Sequence, residues 1–162
     1  MRGRSTRVSV STETSHDAPR LGAVDGDGAV TLPFVHIQQP NDYTCGAAVV
    51  AMITGTPIAD VIAELRPTPK GGTRYKRMIE ALKRCPRIAC GDRFVSVRGK
   101  PLPAIAVIRI THDAKRVGHV VVKHGRWWFD PILPAPFQGH PPGLTWAGTS
   151  RITSSLWFVV AP

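Results

Sequence analysis

Acidic side chains are scarce in this chain. Its 162 residues hold 11 Asp and Glu against 21 Lys and Arg, a formal net charge of +10. That imbalance favours an acidic partner or substrate, or a contact with nucleic acid. Long apolar runs are absent: none approaches 18 residues, which excludes a membrane-spanning helix. The N-terminus is basic but has no apolar core segment, so it is not a secretory signal. Cysteine is sparse too. The count is three, an odd number, and a reduced, cytoplasmic protein is the simplest reading, with Cys85 and Cys90 unpaired. Their spacing matches no strong zinc pattern. No segment repeats.

Large apolar side chains are also missing from residues 1–28, which cannot bury enough surface to offset their ordering entropy. They read as a flexible tail, and residues 29–162 as one domain. Arg2, Arg4, Arg7 and Arg20 balance Glu13, Asp17, Asp25 and Asp27, and that zero net charge argues against a nucleic-acid arm. The excess charge lies in residues 66–100, where eleven Lys and Arg face only Glu80 and Asp92. A solvated basic face accounts for it most simply, and a nucleic-acid contact is not favoured.

What is present falls into helices first and strands afterwards. Residues 29–37 predict a strand. Residues 45–53 have no polar face and predict a helix buried on all sides, capped by Asp42 or Thr44 and stopped by Gly55. Thr56 and Pro57 predict the N-cap and first turn of a second helix, with Ile58, Val61, Ile62 and Leu65 as its apolar stripe. Thr73 is expected to cap a third, whose stripe is Tyr75, Met78, Ile79 and Leu82 and whose basic residues face solvent. Strands are expected at 94–97, 104–111, 119–122, 126–129 and 152–160, with a long loop over 131–150. Three helices followed by strands make an α+β fold.

The chemistry gathers around Gln39 and Cys45. A cysteine opening a buried helix lies at a terminus with partial positive charge and free N–H groups, both of which favour the thiolate. The Gln39 amide and the Cys45 N–H are placed to receive an oxyanion. Farther on, a two-residue turn at His124 and Gly125 pairs positions that sum to 249. Lys123 then faces Arg126, Val122 faces Trp127, and His119 faces Asp130. The carboxylate would fix the His119 tautomer, and His119 would hold Cys45 as a thiolate–imidazolium pair. A lone buried cysteine is ordinarily an inert small hydrophobe. Gln39 upstream and the His119–Asp130 pair downstream favour the nucleophile. His36, His112, His124 and His140 compete with His119, and Gln38 competes with Gln39. Trp127 and Trp128 point to opposite faces, one into the core and the other towards a cleft.

The pattern of a Gln, five residues, then Cys45-Gly46-Ala47-Ala48, followed by Gly118-His119-Val120 and Phe129-Asp130-Pro131, resembles the papain-like cysteine peptidases. Within them it is most similar to the C39-like, bacteriocin-leader-type group. The resemblance covers residues 32–131. It implies a papain-like fold, with a helical lobe bearing Cys45 on a twisted antiparallel sheet bearing His119 and Asp130. It implies a thiol peptidase needing no cofactor, acting on a peptide or protein after small residues such as a Gly-Gly pair. A deamidase, an isopeptidase or an acyltransferase would use the same residues. A binding module using the basic face at 66–100 is the alternative of a different class. Delivery into another cell fits the small size, although no delivery signal is seen.

Overall fold

A computed structural model describes residues 34–112, 117–139 and 150–161. Three helices precede a seven-stranded antiparallel sheet, an α+β arrangement. Residues 1–28 lie outside the described residues.

Helix α1 (Cys45–Thr54) is buried from Cys45 to Ile53, as a run without a polar face requires. Its small residues let neighbours approach closely. α1 packs on α2 (Ile58–Leu65), on α3 (Tyr75–Arg84) and on the sheet. Gly55 ends α1 in the left-handed region at φ 73°, and its N–H donates to Ala51 O. Gly46 is needed for contact: a methyl group there would sit 2.7 Å from Thr73 Cβ and 2.8 Å from Met78 Sδ. Gly46→Ala is therefore expected to destabilise the fold by about 1–3 kcal/mol through overpacking. An unchanged urea midpoint would show that the helix junction has slack.

The helix bounds agree with the sequence pattern, but the caps differ. No side chain caps α1; Thr44 Oγ1 instead donates to Asn41 O at 3.0 Å within the preceding turn. Pro57, not Thr56, occupies the N-cap of α2, because its ψ of 135° is still extended. Arg74, not Thr73, occupies the N-cap of α3, and Thr73 Oγ1 is buried with no hydrogen-bond partner.

The strands are β1 (Ile88–Cys90), β2 (Val95–Ser96), β3 (Ile105–His112), β4 (Val117–His124), β5 (Trp127–Phe129), β6 (Phe137–Gln138) and β7 (Ser150–Val160). Their order is β1-β7-β3-β4-β5-β6, with β2 beside β1 on the β7 edge. The last strand in sequence thus lies inside the sheet. One sheet face, through Val107, Val120, Val122, Phe129, Leu156 and Phe158, joins the helices in the main core. The other buries Ala106, Ile108, Ile110, Val121 and Trp128 in a smaller cluster. Trp127 packs on the main core, so the two tryptophans do take opposite faces, and neither lines the cleft described below.

Three strand expectations need correction. Within residues 29–37, only 34–37 are described, and they form no ladder. They run beside the 130–133 turn, held by a His36 Nε2–H donated to Leu133 O at 2.8 Å. β1 was not foreseen, since three residues are too few to show a period. Within 131–150, β6 pairs with β5, while 140–149 lie outside the described residues.

Candidate active site

Cys45 is the first residue of α1 and is 8% exposed. The first backbone bond of the helix runs from Ala48 N–H to Thr44 O. The N–H groups of Cys45, Gly46 and Ala47 precede it and have no intrahelical acceptor. Cys45 borders a cleft of about 660 Å³, walled by the 69–76 segment, Met78, Arg109, Gly118 and Val120; His119 and Gln39 are not in its lining.

His119 comes from β4 and Asp130 from the residue after β5. The hairpin joining them is not the one the sequence arithmetic gives. The turn is Gly125-Arg126, with Gly125 at φ 58°, in the left-handed region that glycine favours. Val122 pairs with Phe129, Lys123 with Trp128 and His124 with Trp127, so partners sum to 251 rather than 249. An offset of two preserves every side chain's face, because strand side chains alternate with period two. Carried one residue past β5, this register would set Asp130 opposite Val121, diagonal to His119 on the same face. The expected pair therefore forms despite the wrong partners: His119 Nε2 donates to Asp130 Oδ1 at 2.7 Å. Oδ1 also accepts the Ile132 N–H at 3.0 Å. Both side chains are buried, with His119 4% and Asp130 1% exposed.

Burial works against a charged His119. Hydrogen bonds to Asp130 and to the Cys45 side chain, together with the negative charge of both, outweigh it and raise its pKa from the usual 6.5 to about 9. Since Nε2 is engaged by Asp130, Nδ1 is the ring nitrogen left for the sulfur. Cys45, His119 and Asp130 thus form a connected chain of side chains brought from three separate stretches.

Gln39 is half-buried in the loop before α1. Its Nε2 donates to Asn41 O at 2.9 Å, its backbone N–H donates to Pro131 O at 2.8 Å, and its Oε1 is buried without a partner. The backbone bond ties the loop carrying Gln39 to the turn carrying Asp130. Gln38 is exposed and donates to Ile132 O at 3.3 Å. Of the competing histidines, His36 is engaged with Leu133. His124 packs edge-on against Phe34, with its pKa lowered by burial and by Lys123. The His112 side chain and His140 lie outside what is described. All three cysteines are free thiols. Among the described residues, no group of three or more His, Cys, Asp or Glu side chains is placed to hold a metal ion.

Three further cleft residues were not singled out by the sequence. Arg109 stacks 4.9 Å from the centre of the Tyr75 ring, and its Nε is buried without a hydrogen-bond partner. The Tyr75 hydroxyl hydrogen-bonds Arg109, and burial raises its pKa. Thr73 completes the set. The signal was available for Arg109, a lone charge amid Ile108, Ile110 and other β-branched residues. Tyr75 and Thr73 looked like a helix stripe and a cap.

A cysteine at the start of a buried helix, facing a His-bearing antiparallel sheet, defines the class by fold. Comparison with solved structures gives the particular likeness: the chain shares the fold of C39-like double-glycine peptidase domains. One is a double-glycine-motif protease from an AMS/PCAT transporter in complex with the leader peptide. It is 17% identical, with 79% of this chain and 92% of that one covered and a TM-score of 0.57. Another is the peptidase domain of Streptococcus ComA, a bifunctional ABC transporter involved in quorum sensing. It is 16% identical, with 77% and 97% covered and a TM-score of 0.53. No family model matches the sequence. No curated protein matches it significantly.

Proposed function

We propose that this protein is a thiol hydrolase of papain-like fold, and specifically a cysteine peptidase. The observation that carries this reading is the Cys45–His119–Asp130 chain, with His119 held protonated beside the sulfur. The Cys45 sulfur, as thiolate, attacks the substrate carbonyl carbon, and the carbonyl electron pair moves onto oxygen. The Cys45 N–H and the second amide hydrogen of Gln39 receive that oxyanion. As the C–N bond breaks, His119 gives its proton to the leaving amine, and a thioester remains. Water then attacks the thioester. His119 takes the proton from that water, and the C–S bond breaks to return the thiolate. Asp130 keeps the ring oriented throughout.

The substrate is a peptide or protein cut after small residues such as a Gly-Gly pair. The motif resemblance and the leader-peptide complex of one structural neighbour support this. The same neighbours favour a peptidase over a deamidase, isopeptidase or acyltransferase. On the basic face Lys76 pairs with Glu80 at 3.9 Å, Lys83 with Asp92, and Arg84 with Glu64, three of its eleven cations, and the non-catalytic reading is tested by salt dependence. Free thiols are in keeping with a reducing compartment such as the cytoplasm. No helix among the described residues is long and apolar enough to cross a membrane.

The test needs no substrate. Alkylation of each cysteine is followed by mass spectrometry from pH 4 to pH 9, in wild type and in His119→Ala. Cys45 is expected to react faster than Cys85 and Cys90 across the acid half of that range and to lose that advantage without His119. Reaction of Cys45 no faster than that of Cys85 and Cys90 would refute the nucleophile.

A further inference from the structure

The cleft beside Cys45 is charged almost wholly in one sense. Lys70, Arg74 and Arg109 line it, together with Lys76, which is paired with Glu80 outside the cleft lining, against Asp42 alone among acidic residues. Two buried donors in its wall lack a partner. Thr73 is 9% exposed, and its Oγ1 bonds to nothing; Arg109 Nε is in the same position. A buried unsatisfied polar group costs about 1–3 kcal/mol, and both atoms are closed to solvent, so an acceptor from the cleft reaches them only with a small rotation of the side chains. Tyr75 brings a third polar group to the same wall. Its hydroxyl bonds Arg109, and a methyl group at Gly118 would lie 2.7 Å from it, so the absence of a side chain there is what admits the ring. Helix α3 begins at this wall with no side-chain cap and no acidic residue in its first turn, which leaves the positive end of its dipole open.

One chemical group suits each of these features. A carboxylate is negative, accepts several hydrogen bonds, and matches the planar fork of a guanidinium. We propose that Arg109, Thr73 and the Tyr75 hydroxyl form a carboxylate subsite beside Cys45, so that the substrate carries an acidic group close to the carbonyl that is attacked. This rests on Cys45 being the nucleophile, and it adds a substrate class to that role. The carboxylate is either an Asp or Glu side chain or the end of a peptide chain; both offer the same chemistry to the cleft.

The test compares two alkylating agents of nearly equal size, iodoacetate and iodoacetamide. In both the thiolate displaces iodide: an S–C bond forms, the C–I bond breaks, and iodide leaves. Only iodoacetate carries a carboxylate. The quantity read is the iodoacetate-to-iodoacetamide rate ratio at Cys45, divided by the same ratio at Cys85 in the same molecule. In wild type it is expected to be about tenfold or more, what a charge-assisted bidentate contact provides. Arg109→Gln should bring it to about one, and Arg109→Lys, which keeps the charge but loses the fork, should fall between. Thr73→Val is nearly isosteric and should lower the ratio severalfold while the urea midpoint stays close to wild type. A wild-type ratio near one overturns the subsite, as does a ratio that Arg109→Gln and Thr73→Val leave unchanged. The nucleophile is read separately, from the iodoacetamide rates alone, so its failure is not confused with failure of the subsite.

Competing peptides then distinguish the source. One has an internal Glu and an amidated end; another has Gln in its place and a free carboxylate end; the parent has neither. Protection of Cys45 by the first at lower concentration assigns a side chain, and by the second a chain terminus. Protection by the parent equal to both overturns the acidic substrate.

Discussion

Cys45→Ala is expected to remove turnover, by about 10⁴-fold or more, with the fold intact. No other group in the cleft can form the thioester, so the loss reaches the assay background instead of a fractional rate. The fold should survive because the change keeps a small apolar side chain at the start of a helix whose neighbours are alanine and valine. A stability change of about 1 kcal/mol or less is expected for so small a truncation. Turnover of a peptide and the thermal midpoint, measured on one preparation, check both halves. A Cys45→Ala protein that still processes its substrate would sink the peptidase reading. Product masses separate the related chemistries. A peptidase splits the backbone, a deamidase converts Gln to Glu without splitting it, and an acyltransferase joins two chains. A binding module would behave differently again: its affinity would fall steeply with salt and would be indifferent to Cys45→Ala.

Asp130→Asn should produce the second large effect, in the pH profile as well as the rate. His119 is held protonated up to about pH 9 by Asp130 and Cys45, against the opposing effect of burial. The alkaline limb of activity is therefore expected near that pH. Without the Asp130 charge, burial still disfavours the imidazolium, so the limb should move to lower pH by about a unit or more. The rate should also drop, by about 10²–10⁴-fold, as the ring loses its orienting acceptor, and by less than for Cys45→Ala. The sign for stability follows from the same shift. His119 has a folded-state pKa above its usual 6.5, so its contribution is fully present below about 6.5 and is lost as pH rises through about 9. Wild type should thus lose urea resistance between those values, and Asp130→Asn should lose less of it there. An alkaline limb unmoved in Asp130→Asn would mean that the carboxylate does not set the His119 proton.

Several elements could be read directly from local pattern, because their cause is local. The apolar run after Cys45 could only be a buried helix, and Gly55 ended it. The β-branched run now seen as β3 was legible for a similar reason, since it matches a two-sided buried strand. Errors fell where alternatives of nearly equal local energy compete. Thr56 and Pro57, or Thr73 and Arg74, can each begin a helix, and packing chose between them. The hairpin turn could sit at His124-Gly125 or one residue later, and the positive φ of Gly125 favoured the later frame. That slip left the contact between His119 and Asp130 in place, because moving the turn by one residue changes the register by two and keeps both on a shared face.

The order of Gln39, Cys45, His119 and Asp130 along the chain, and the residue types at those positions, were present in the sequence, as was the charge imbalance around 66–100. What no local pattern could supply is how separate stretches meet. The sheet order, with β7 between β1 and β3, depends on long-range pairing that alternation cannot rank. So does the cleft wall, where Arg109 from β3, Gly118 from β4 and Thr73 with Tyr75 from the start of α3 surround one space. An arginine in a strand and a threonine before a helix have ordinary local explanations. Only their burial together, with donors left unpaired, gives them a shared meaning, because the cost of an unmet hydrogen bond exists only after the chain has folded around it.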